Sequence, residues 1–135
     1  MTRIMTNAAF RERYLNDSVT TASPGKLLVM LYDRLVLDLV RAEEALRSGE
    51  REASSVQLLH AQEILIELHT SLDLAAWPEG KGLAQLYAFL LTELVTANVR
   101  GDVDKTVSCR EIIEPLRDAW RVAAATTAAT AAQVG

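Results

Sequence analysis

Apolar residues recur at three- and four-residue steps through most of this chain, and the stripes they draw predict four helices. Leu28, Leu31, Leu35, Leu39, Ala42 and Leu46 form the first stripe, and Leu58, Ala61, Leu65, Leu68 and Leu72 the second. Leu83, Leu86, Tyr87, Leu90, Leu94 and Ala97 form the third, and Cys109, Ile113, Leu116 and Trp120 the fourth, with Trp120 its large anchor. The end signals agree. Ser23 and Pro24 suit the N-cap and first position of a helix that reaches Arg47, where Ser48-Gly49 stops it. A second helix is expected over Glu52–Leu74, a loop over Trp77–Gly82, and a third helix from Leu83 to Arg100, ended by Gly101. Asp102 then caps a fourth helix reaching about Ala125, which Pro115 should kink at a local cost of about 3 kcal/mol if unrelieved. The Ala- and Thr-rich tail after it either prolongs the helix or frays. Short connections favour antiparallel neighbours. The expectation is an all-α, antiparallel four-helix bundle in one domain: a polar N-terminal arm (1–22), the bundle (23–125) and a tail (126–135).

Several aliphatic residues fall off those stripes. Leu59 and Ile66 point about 140° away from the core stripe of the second helix. Phe89, Val95 and Val99 do the same on the third helix, and Val29, Val36 and Val40 on the first. For the first helix, burial nearly all round accounts for them. For the second and third, two readings stand: scattered surface residues, or a second apolar surface that forms a groove for helices of another chain.

Composition narrows the class. The 135 residues are 50% hydrophobic, 24% charged and 5% aromatic, with 6 Gly and 3 Pro, which favours helices over many short strands. A net charge of −4 argues against nucleic acid or an anionic membrane as the main partner. No uninterrupted apolar run reaches the roughly 20 residues of a bilayer span, and no secretory signal opens the chain. The single cysteine, Cys109, cannot form an internal disulfide and fits a reducing cytoplasm.

Candidate chemistry is sparse. His60, Glu63, Glu67 and His69 lie close together, but the chain has no Glu-x-x-His, which a di-iron bundle needs on two helices. They read as solvated polar residues. His60 could instead accept phosphate, as in histidine phosphotransfer modules, which place Lys three and Gly four residues after the histidine. Here Glu63 and Ile64 stand there, with the wrong charge and bulk. Cys109 reads as a small core residue. Asp33, within the apolar run of the first helix, could be a buried hydrogen-bonding group. There is no phosphate loop, no nucleophile elbow and no zinc-ligand spacing, so no enzyme, metal or cofactor is expected.

One series of short motifs is more specific. Residues 14–24 (Tyr14-Leu15-Asn16-Asp17-Ser18-Val19-Thr20-Thr21-Ala22-Ser23-Pro24), then Leu27-Leu28-Val29-Met30-Leu31-Tyr32-Asp33, open it. Ala61-Gln62-Glu63-Ile64-Leu65-Ile66-Glu67-Leu68, Ser71-Leu72-Asp73, Leu86-Tyr87, Ala97-Asn98, Asp102 and Leu116-Arg117-Asp118-Ala119-Trp120 continue it. In this order and spacing, over residues 14 to 121, the chain resembles the FliS family of flagellar export chaperones.

That resemblance implies a bacterial cytosolic bundle that binds the disordered C-terminal segment of flagellin. The segment becomes helical as it wraps the chaperone, premature polymerisation is prevented, and the cargo goes to the flagellar type III export apparatus. In the family the N-terminal arm can cover part of the binding surface, a role that falls here to Tyr14 and Val19; packing of the arm onto the bundle is the other reading of these two residues. With the off-stripe positions, the expected partner-binding residues are Tyr14, Val19, Leu59, Ile66, Phe89, Val95 and Val99. A phosphotransfer module or a generic dimerising bundle is the alternative. Two departures stand out: Arg34 where the family usually has Gly, and His60 where Lys is common.

Overall fold

A computed structural model describes the backbone of residues 24–134 and the side chains of residues 24–127. Its helices are α1 (Pro24–Arg47), α2 (Arg51–Thr70), α3 (Lys81–Arg100) and α4 (Val103–Val134), with a 3-10 turn at Pro78–Gly80 and no strand among the described residues. α1 packs against α2 and α4, α2 against α3, and α3 more sparsely against α4. Short turns between consecutive helices make them antiparallel, so the fold is an all-α four-helix bundle. The arm, including Ser23, lies outside the described residues.

Two turns close as their glycines require. Gly49 has φ of 75° and Gly101 of 64°, left-handed conformations that a side chain would strain. After each, the next amide reaches back five residues: Glu50 N–H donates to the Ala45 carbonyl at 2.8 Å, and Asp102 N–H to that of Ala97 at 2.9 Å. Arg51 strengthens the second turn. Its guanidinium donates to the carbonyls of Asn98 and Val99 at 3.2 and 3.3 Å, tying the start of α2 to the negative end of α3. Asp102 then caps α4, its side chain accepting the Lys105 N–H at 3.0 Å.

Three boundaries differ from expectation by two residues or more, and α2 also begins one residue early, at Arg51. α2 ends at Thr70 rather than Leu74. The chain turns there because Leu72 N–H bonds the His69 carbonyl, while the Asp73 carboxylate takes the Ala76 N–H and the Asp73 carbonyl takes that of Trp77. α3 starts at Lys81, two residues early, because the Pro78–Gly80 turn leads straight into it. The ring of Trp77 covers the buried Gly80, where a Cβ would meet Trp77 Cε3 at 2.5 Å. α4 runs on to Val134 instead of stopping near Ala125, as an alanine-rich segment favours. Gly25 of α1 lets it pass closely: a Cβ there would lie 3.1 Å from Cβ of Ala124. Pro115 sits inside α4 on its exposed face, where the exposed Glu111, whose carbonyl loses its helical partner, stands in reach of water.

The core follows the four stripes. Leu35, Leu39, Ala42, Leu58, Ala61, Leu65, Leu68, Tyr87, Leu90, Leu94, Ala97, Cys109 and Ile113 are buried, and Leu28, Leu31, Leu72, Leu83, Leu86, Leu116 and Trp120 pack around them. The stripes omit two large members, Tyr32 and Ile64. The hydroxyls of Tyr32 and Tyr87 hydrogen-bond across the core, and the Trp120 ring tilts against Tyr32 at 6.5 Å and 53°. Burial raises the pKa of both phenols, so the pair stays protonated. On α1, Val36 is 7% exposed and Val40 half-buried against the core, but Met30 and Leu37 are exposed, so α1 is not buried all round.

α3 is strongly apolar. The segment Pro78–Arg100 is long and apolar enough to cross a bilayer by length and composition only, its most apolar part having a mean hydropathy of 1.2. Only part of that apolar character serves the core.

Leu90→Ala should cost about 2–5 kcal/mol, and Asp102→Ala about 1 kcal/mol, both measured by urea unfolding. Burial, with Glu93 nearby, pushes the Cys109 thiol up to about 11. Its thiolate fraction at neutral pH is thus about a hundredfold below that of an exposed cysteine. Reaction with a disulfide reagent should slow at least in that proportion, and recover fully in denaturant.

Candidate partner-binding surface

Five of the seven expected partner-binding residues are described, and all five face water. Their exposure runs from 41% for Ile66 to 74% for Val99, with Leu59, Phe89 and Val95 between. Tyr14 and Val19 lie outside the described residues.

Helical geometry divides the five into two strips. Glu93 of α3 pairs with Lys105 of α4 at 3.0 Å, which fixes the flank of α3 that meets α4. Phe89 lies four residues before Glu93, about 40° around the helix, and shares that flank. Val95 and Val99 lie roughly 160° and 120° from Glu93, on the side away from α4. On α2, His60 contacts Asp38 and so marks the edge facing α1. Leu59 and Ile66 are rotated about 100° and 120° from it, onto the outer face toward α3. Leu59, Ile66, Val95 and Val99 therefore belong to an α2–α3 strip, and Phe89 to the α3–α4 seam. The expected single groove over α2 and α3 is two strips on either side of the outer ridge of α3.

The sequence reading passed over further exposed apolar residues. Val56 sits three residues before Leu59 and extends the first strip. Ile112, seven residues after Lys105, lies on the α3-facing flank of α4 and joins Phe89 in the sparsely packed seam. Its signal was the pair Ile112-Ile113, of which only the second can face the core. Leu74 and Trp77 in the α2–α3 turn, Met30 and Leu37 on α1, and Val122 on α4 are exposed as well.

The polar candidates are accounted for structurally. Asp33 is not buried: it is half-exposed and pairs with Arg121 of α4 at 2.8 Å and, more loosely, with Arg117 at 3.8 Å. The buried acid of α1 is Asp38, which accepts from Arg34 Nε at 3.0 Å and contacts His60 Nδ1. Arg34 thus has a defined partner rather than a crowded site. The expected solvation holds for His69, but His60 and Glu63 are half-buried and Glu67 is buried. Glu43 receives both Arg47 and Arg110, and its hydrogen bond from Arg47 leads in lowering its pKa. Among the described residues, no three His, Cys, Asp or Glu side chains are grouped to hold a metal ion.

The sequence model of the flagellar protein FliS matches residues 5–127. The chain belongs to the FliS family. It is 30% identical over 114 residues to the flagellar secretion chaperone FliS of Bacillus subtilis (strain 168), covering 82% of each chain. It is 29% identical over 115 residues to that of Escherichia coli (strain K12), covering 84% of this chain and 85% of the relative. The corresponding chaperone of Vibrio cholerae is 27% identical over 113 residues, covering 83% of each. FliS is a chaperone family. In this chain the tyrosines of the Tyr32-Asp33 and Leu86-Tyr87 motifs form the buried hydroxyl pair, a structural role.

Because Ile66 and Phe89 face solvent, Ile66→Asp and Phe89→Asp should each change stability by no more than about 0.5 kcal/mol in urea titrations. A loss like that of Leu90→Ala would place either side chain in the core.

Proposed function

We propose that this protein is a cytoplasmic flagellar export chaperone that binds the disordered C-terminal segment of flagellin. It holds that segment as helices, keeps it from polymerising early, and passes it to the flagellar type III export apparatus. The observation that carries this reading is the set of solvent-facing aliphatic and aromatic side chains on α2 and α3, in a chain of the FliS family.

The physical logic is that of coupled folding and binding. A disordered segment loses conformational entropy when it becomes helical, and a large apolar interface must offset that loss, commonly about 1,000–3,000 Å². Leu59, Ile66, Val95 and Val99 give one ligand helix its row of contacts, and Phe89 in the α3–α4 seam receives a second. The ligand crosses the outer ridge of α3 between them, which suits a segment that wraps instead of docking as one rod. The N-terminal arm, through Tyr14 and Val19, covers part of this surface in the free protein and yields it to the ligand. The work is binding without catalysis, and it requires neither cofactor nor metal.

Isothermal titration with a peptide from the C-terminal end of flagellin should show one-to-one binding; no heat at micromolar concentrations would overturn the reading. Ile66→Asp and Phe89→Asp should each weaken binding by about tenfold or more while the bundle stays folded. If both variants bind normally, the two-strip surface is not where the ligand sits.

A further inference from the structure

The turn that joins α2 to α3 displays an apolar run that neither the core nor the two strips use. Leu74, Ala75, Ala76, Trp77 and Pro78 follow one another between the charged Asp73 and Glu79, and all of them are exposed. Leu74 and Trp77 leave 39% and 41% of their surface to water. A helix–helix turn needs no such run, since polar turn residues close it as well. Apolar residues exposed in a row work against solubility unless a function requires them.

The run is also held in shape. A Cβ built on the buried Gly80 would meet Trp77 Cε3 at 2.5 Å, Trp77 Cζ3 at 2.8 Å and Leu74 Cδ2 at 3.3 Å, so both side chains lie against one glycine and form a single patch. Beneath them, Trp77 N–H donates to the Asp73 carbonyl at 2.8 Å, and Gly80 N–H to the Trp77 carbonyl at 3.0 Å. A ring seated in this way loses little freedom when a partner covers it.

The register of the helix pair places the patch. Arg51, at the start of α2, bonds the Asn98 and Val99 carbonyls at the end of α3. Counting from there along antiparallel neighbours brings Val56 near Val95 and Ile66 near Ala84. The α2–α3 strip thus begins at Val56 and Val99 and runs toward the turn, where Leu74 and Trp77 stand at its end.

We propose that Leu74 and Trp77 are the end anchor of the α2–α3 strip, and that the ligand helix on this strip runs past Thr70 to close over the Trp77 ring. Resting on the proposed function, this anchor adds two contact residues and a length to it. Helix from Val56 to Thr70 rises about 21 Å, so the ligand lays about 14 residues along the strip and one further turn on the anchor. That last turn is apolar, because the Trp77 indole N–H is the one polar side-chain group that residues 74–78 offer.

Fluorine NMR of the full-length protein carrying 5-fluorotryptophan tests this. The chain has two tryptophans, and Trp77→Phe assigns the two resonances by removing one. Titration with the peptide from the C-terminal end of flagellin, followed in parallel by calorimetry, should shift the Trp77 resonance and abolish its response to exchange of H2O for D2O. The resonance of Trp120, packed against the core, should keep its position. Trp77→Ala and Leu74→Asp should each weaken binding by about tenfold. A peptide that binds while the Trp77 resonance stays in place would overturn the anchor and leave the proposed function standing. Equal movement of both resonances marks a rearranged bundle and overturns it as well. If the peptide gives no heat, the function reading fails and the anchor with it.

Discussion

A bundle this small has one core, and the 3.6-residue period of a helix turns only one stripe of each helix into it. That constraint governs the rest of the molecule. Leu58, Ala61, Leu65 and Leu68 on α2, and Tyr87, Leu90, Leu94 and Ala97 on α3, fill the shared interior. Any further large aliphatic residue on these helices must find another home. On α1 the flanking helices supply one, and Val36 and Val40 are covered by packing on both sides. Among the described residues α2 and α3 have no further neighbour outside them, and Leu59, Ile66, Phe89, Val95 and Val99 are exposed. The surplus is thus a consequence of where the fourth helix is placed: α4 seals α1 well and α3 sparsely.

The same interior admits a few polar groups, and several are fastened to specific partners. The Tyr32 and Tyr87 hydroxyls satisfy one another across the core, and the Thr106 hydroxyl returns to the Asp102 carbonyl at 2.9 Å. Asp38 accepts from Arg34 of its own helix and contacts His60 of the next. Such contacts set register between helices whose leucine stripes alone would tolerate sliding, because a shift of one turn strands a buried hydroxyl or carboxylate. Arg51 does similar work at the bundle's end, where its guanidinium ties the start of α2 to the last carbonyls of α3.

Which parts of this were legible in the sequence follows from what kind of information each part needs. Periodicity is local, so four helices, their core stripes and the outward position of the five surface residues could be read directly. Gly49 and Gly101 announced their turns because few other residues take a positive φ. Helix ends that depend on the hydrogen bonds of the following turn, such as those of Leu72 and Asp73 just past α2, are not readable. Nor was the partner of a charged residue: Asp33 and Asp38 both interrupt an apolar run, and only the placement of α2 and α4 decides which is buried. Phe89 and Val95 looked alike on a helical wheel, yet a single ion pair between Glu93 and Lys105 puts them on different flanks.

On the proposed function, a protein that displays so many aliphatic side chains must also remain dispersed without its partner. Contiguous exposed apolar patches beyond a few hundred Å² invite association. Here the display is broken up. Glu63 lies between Leu59 and Ile66 on the face of α2, and exposed Gln85 and Thr92 flank Phe89 on α3. The net charge of −4 adds a mutual repulsion between copies. A flat partner of fixed shape would touch only one strip and gain little from it. A flexible segment can follow both, folding as it goes, and collects apolar contact that no rigid neighbour could reach. On the proposed function, division of the surface disfavours self-association and favours a disordered ligand, through one arrangement of side chains.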